Sequence, residues 1–177
     1  MRRSSIILLT ASSLALGGCF MSSGPLITPA SADHPWGDLR AKQSDWRDGK
    51  WRVEGNVTLH REGAYYRFET EKSHDVTNFL VRQIGDQEYI AQSHDASGSG
   101  DASYSYVLLV ADGNRVYQYS FDDQSKRCAI PGINPAALQL KPYEDGCGVP
   151  SLAVLTQIFE SLRKGPPRYE VMYEIAP

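Results

Sequence analysis

Two triplets, Ser73-His74-Asp75 and Ser93-His94-Asp95, contain the residue types of a nucleophile, a base and an orienting acid. A hydrolytic triad needs those side chains to converge in space. Neighbours in an extended chain point to opposite faces instead. Neither serine stands in a Gly-x-Ser-x-Gly elbow. Metal binding by the two histidines is no better served. Taking Gly85-Asp86 as a two-residue turn pairs Ile84 with Gln87 and His94 with Thr77. His74 then lies roughly 10 Å further along the strand, at ~3.3 Å per residue. The acid pairs Asp86 with Glu88, Asp122 with Asp123 and Glu144 with Asp145 fall in turns, where carboxylates bond the backbone. No glycine loop that would cradle phosphate precedes a helix, and no cofactor fingerprint occurs. The expectation is a protein that is not an enzyme, with no catalytic residue, no metal site and no cofactor.

Binding chemistry is better represented. Ser97-Gly98-Ser99-Gly100 is a polar loop between two strand-like runs, with Tyr104 just beyond it. Its hydroxyls donate and accept, and its glycines free the backbone. Over this loop the chain resembles the membrane-bound inhibitors of c-type lysozyme. That resemblance implies a small β-barrel lipoprotein whose loop serine enters the lysozyme cleft, with Arg115 as the basic residue on the next hairpin. Tyr65, Tyr66, Tyr89, Tyr104, Tyr106, Tyr117 and Tyr119 lie on predicted strands. They either fill sheet faces, where aromatics are favoured, or line the pocket of a carrier for a small apolar ligand. Trp36, Trp46 and Trp51 could form a ligand-facing aromatic cluster, but the expectation is that they cover the open end of a core.

The first residues state where this chemistry takes place. Arg2 and Arg3 precede an apolar run from Ile6 to Leu16, which ends in Leu16-Gly17-Gly18-Cys19. A basic start, a short apolar core and small residues before a break form a secretory signal. The run is too short to span a bilayer core, which needs about 20 apolar residues. Leu16-Gly17-Gly18-Cys19 resembles the lipobox of bacterial lipoproteins. The resemblance implies cleavage of residues 1–18 and acylation of Cys19. Phe20 in place of an aspartate favours the outer membrane, facing the periplasm, over the inner membrane. Residues 19–35, rich in serine and proline, read as the lipidated cysteine and a flexible tether that lets the domain stand off the membrane. Residues 36–177 read as a single globular domain. The formal charge is −3 and no basic run occurs, which argues against nucleic acid as a partner. With Cys19 acylated, Cys128 and Cys147 remain as an even pair in an oxidising compartment, so a disulfide is expected.

The elements that position these groups are mostly strands. Val53, Gly55, Val57 and Leu59 alternate with polar residues, and Ala64 to Thr70 returns after Arg61-Glu62-Gly63. Asn78–Ile84 and Glu88–Gln92 flank Gly85-Asp86, and Tyr104–Val110 and Arg115–Phe121 flank Asp112-Gly113-Asn114. Residues 122–150 carry many prolines and glycines and read as irregular chain stapled by Cys128 and Cys147. Ser151 to Lys164 has helical spacing of Leu152, Leu155, Ile158, Phe159 and Leu162, and Gly165-Pro166-Pro167 ends it. Arg168 to Ile175 alternates again as a last strand. The predicted fold is α+β and β-rich: an antiparallel meander sheet or partly closed barrel of six to eight strands, with one C-terminal helix across a sheet face or a barrel end. This layout also resembles bacterial lipoproteins that have no assigned activity. The preferred reading is a lipid-anchored, non-enzymatic binding or structural module of the periplasm, partnered by an envelope protein or a small apolar ligand. The alternatives are a lysozyme-inhibitor-like protein and an apolar-ligand carrier.

Overall fold

Tight turns at Asp48-Gly49, Gly63-Ala64, Asp86-Gln87 and Gly113-Asn114 join successive strands in a computed structural model of the chain. The structure describes residues 20–72, 75–94, 104–119, 128, 130, 132–143, 146–164 and 169–177. Its strands are β1 (Phe20–Ser22), β2 (Leu39–Arg47), β3 (Lys50–Glu62), β4 (Tyr65–Thr70), β5 (Val76–Gly85), β6 (Glu88–His94), β7 (Tyr104–Asp112), β8 (Arg115–Tyr119), β9 (Lys141–Pro142), β10 (Cys147–Gly148) and β11 (Tyr169–Ile175). One helix, α1 (Leu152–Leu162), precedes β11.

From β2 to β8 each strand pairs antiparallel with the next, and β11 fits between β8 and β2. The result is a closed eight-stranded antiparallel barrel, at the upper end of the predicted strand number. Closure leaves none of these eight strands as an open edge. The barrel strand missing from the sequence reading is β2, which occupies the charged stretch between Trp36 and Trp51; the short strands β1, β9 and β10 lie in segments read as tether and irregular chain. Asp48 and Gly49 both have positive φ, 52° and 76°, the backbone of a primed hairpin turn. The β5–β6 turn falls one residue later than Gly85-Asp86, and the register shifts between Gln83 and Gly85. Ser93 therefore faces Phe79, one step from the register that would set His94 against Thr77.

The barrel has two cores. Inside it, Leu59, Tyr66, Phe79, Val81, Ala91, Val107 and Leu109 pack together. Outside it, Leu80, Ile90, Tyr106 and Leu108 on the outer face of β5 to β7 meet Phe20, Ile27 and the buried helix residues Leu155, Ile158 and Phe159. The run Val107-Leu108-Leu109 is thus buried on both faces, which explains why β7 reads as continuously apolar. The helix lies across the outer barrel face. Ser151 caps it, its Oγ accepting from the Val154 amide at 3.3 Å. Arg163 pairs with Glu88 on β6 at its far end. The Cys128–Cys147 disulfide ties the irregular segment into the same outer core, where Cys128 is 1% and Cys147 0% exposed.

Residues 20–35 are not a free tether. β1 pairs with β7 on one side and β10 on the other, and Phe20 and Ile27 are fully buried. The Gln92 carboxamide on β6 accepts from the Leu26 and Ile27 amides at 2.8 and 2.7 Å and donates to the Ile27 carbonyl at 2.8 Å. A side-chain amide here does the work of a neighbouring strand. The serines and prolines that suggested a linker surround two apolar anchors, and the partner that fixes the segment lies some 65 residues away in sequence.

Candidate functional site

Cys19 and the Ser97–Gly100 loop lie outside the described residues, as do Ser73, His74 and Asp95. Ser93 and His94 are described, and they point to opposite faces as a strand requires. Ser93 is buried and its Oγ lies 3.1 Å from Ser105 Oγ. His94 is exposed and packs edge-on to the Tyr104 ring, 5.0 Å between centroids. Among the described residues no three of His, Cys, Asp and Glu gather as a metal site.

What the fold does build is a cavity of about 70 Å³ inside the barrel. Every barrel strand contributes to its wall, among them Ala41 on β2, Val57 on β3, Phe68 on β4, Phe79 on β5, Ala91 on β6, Val107 on β7, Val116 on β8 and Tyr173 on β11. Period-two alternation in an eight-stranded barrel produces such an interior, just wide enough for side chains to fill or for one small ligand. Small residues leave the space: Ala41 and Ala91 present a methyl where their neighbours present branched chains or rings. Trp36 also lines the cavity, 5.0 Å from Tyr89 and 6.0 Å from Tyr66 between ring centroids. Tyr66 Oη donates to the Trp36 carbonyl at 2.7 Å and accepts from its amide at 3.1 Å. Trp36 is thereby held near the end that carries the Gly63-Ala64 and Asp86-Gln87 turns. Of the three tryptophans it is the one at a core, as expected of all three. Trp46 and Trp51 instead pair with each other beside the Asp48-Gly49 turn, and Trp46 is exposed.

The barrel interior changes polarity along its length. No lining residue carries a charge, and only Thr77, Gln118 and the two hydroxyl or ring-nitrogen residues Tyr173 and Trp36 bring polar atoms to the wall. Towards the Asp48-Gly49 end the inward positions become polar: Gln43, Thr70, Ser93, Ser105 and Gln118 are all buried. Gln43 Nε2 donates to Asp45 Oδ1 at 3.2 Å. Gln118 stands at the boundary. Its Oε1 is buried and has no hydrogen-bond partner among the described residues. Tyr173, packed edge-on against Phe68 at 5.7 Å, has its phenol pushed far up by burial, with Asp45 and Glu170 adding to the shift. It stays neutral in the barrel.

None of the seven tyrosines read from the sequence as sheet filling or pocket lining borders the cavity; the tyrosine that does is Tyr173, outside that set. Tyr173 lines the cavity and Tyr66 and Tyr89 pack in the inner core, whereas Tyr106 and Tyr119 belong to the outer core. Comparison with protein-family models, with curated proteins and with solved structures finds no match for this chain. The site must be read from its own chemistry. An uncharged, nearly apolar wall can hold an apolar molecule by excluding water.

Proposed function

We propose that this protein is a non-enzymatic binding protein of the cell envelope, and that its ligand is a small apolar molecule held inside the barrel. The observation that carries the reading is the cavity itself, about 70 Å³ with an uncharged, mainly aliphatic and aromatic wall. A well-packed interior keeps few voids larger than a water molecule, and a water needs roughly 10–15 Å³. An apolar void of this size costs stability unless something fills it. The envelope location rests on the secretory leader and lipobox and on the Cys128–Cys147 disulfide. Because Phe20 is buried on the barrel, an acyl group on Cys19 would hold the barrel directly at the membrane, without the stand-off of a tether.

Titration of the purified protein with n-pentane, followed by ¹H–¹³C methyl spectra, tests the reading. Shifts concentrated at Val57, Val107, Leu109 and Val116, absent in the cavity-filled A41L/A91L double variant, are expected. Methyl shifts confined to the outer core, at Leu108, Leu155 and Ile158, would overturn it.

A further inference from the structure

Gln118 and Gln92 are both buried glutamines of this barrel, and they are treated in opposite ways. Gln92, 4% exposed, has its oxygen and nitrogen paired to the 26–27 backbone. Gln118, 7% exposed, has an Oε1 with no partner among the described residues. Buried polar atoms are nearly always bonded, and an orphan of this kind asks for an explanation. Gln118 lies on the wall of the cavity, on the same inward face of β8 as Val116 and opposite Leu109 on β7. A half-turn of its amide exchanges Oε1 and Nε2, so the edge meeting the cavity can donate or accept. A hydroxyl can do either and pairs with the amide in both settings.

We infer that the cavity takes a neutral molecule with an apolar body and a hydroxyl group, the hydroxyl seated on the Gln118 carboxamide and the body among Val57, Phe68, Val107 and Val116. This rests on the binding function proposed above and names its ligand class. Charge selects against the ionised analogue. No cation lines the cavity, and Asp45 lies close enough to Tyr173 to raise its phenol, so a carboxylate would be buried unpaired beside a negative field. An alkane loses differently: it leaves the Gln118 amide unmet.

The test compares 1-hexanol, hexanoate at neutral pH and n-pentane, titrated into the purified protein and followed by ¹H–¹⁵N spectra that include the side-chain amides. The expected result is that 1-hexanol binds about tenfold tighter than n-pentane and hexanoate, about one good hydrogen bond's worth, and shifts the Gln118 side-chain amide pair. In Gln118→Leu, and in Gln118→Met as a second near-isosteric variant, hexanol should weaken about tenfold while pentane holds or tightens, inverting the preference. Equal binding of hexanol and pentane with no change in either variant would overturn the hydroxyl assignment and leave the apolar carrier standing. A preference for hexanoate would also overturn it. No binding of any of the three to the inner wall would overturn the carrier reading together with it.

Discussion

Replacing Gln118 by leucine should stabilise the ligand-free protein, an unusual direction for a substitution at a buried site. The side chain is 7% exposed, and its Oε1 has lost water without gaining a partner among the described residues. An unsatisfied buried polar atom costs about 1–3 kcal/mol, and replacing it by an apolar group of similar shape removes that cost. Leucine is close to glutamine in volume and meets Val171 on β11 and Leu109 on β7, the residues opposite Gln118 in the two ladders. Allowing for imperfect packing, the net gain should be about 1–2 kcal/mol, or a rise in Tm of roughly 2–8 °C for a chain of this size. Urea unfolding followed by tryptophan fluorescence should show a higher midpoint at unchanged slope, since the surface exposed on unfolding is the same. A loss of about 1 kcal/mol or more would mean that the carboxamide is satisfied in the ligand-free barrel, and the reasoning from its orphaned oxygen would fail.

Three further outcomes are expected. Replacing both Cys128 and Cys147 by alanine should cost about 2–5 kcal/mol, read as a lower urea midpoint, because the bond closes a chain loop and both residues sit in the outer core; an unchanged midpoint would contradict this. Cys19→Ser should abolish lipid labelling and release the protein from membranes, and labelling that persists in the variant would sink the lipobox reading. Burial raises the phenols of Tyr173, Tyr106, Tyr66 and Tyr169 above their ordinary value of 10.0. The stability held by keeping them neutral is complete below pH 10.0 and declines as pH climbs beyond it. Absorbance of tyrosinate should therefore appear together with loss of the barrel's tertiary signal, and ionisation of all ten tyrosines in an intact barrel would contradict it.

Much of the barrel is legible in the sequence, because alternation reports a strand with one wet face and Asp112-Gly113 reports a hairpin. β2 was hidden: Ala41, Gln43 and Asp45 face inward, so its alternation mixes apolar with polar residues and leaves only a faint period. The Asp48-Gly49 pair was the signal that could have found it. The 20–35 segment was misread for a different reason. It packs through Phe20, Ile27 and the distant Gln92, and local composition carries no trace of a partner so far along the chain. The strand tyrosines suggest a pocket in the sequence, but none of those seven lines the cavity; the residues that make it are Ala41 and Ala91, which are inconspicuous until closure sets them opposite larger neighbours. Gln118 is equally silent in sequence. One polar residue in an Arg-Val-Tyr-Gln-Tyr strand becomes informative only when its face is known to be the inner one.

The inner core, and not the outer one beneath the helix, is the proposed binding site. Xenon enters apolar cavities and scatters strongly, so diffraction from crystals of the protein pressurised with the gas tests it most directly. An anomalous peak is expected inside the barrel, bounded by Phe68, Ala91, Val107 and Tyr173. A barrel interior without a peak, with xenon instead between α1 and the outer face of β7, would contradict it.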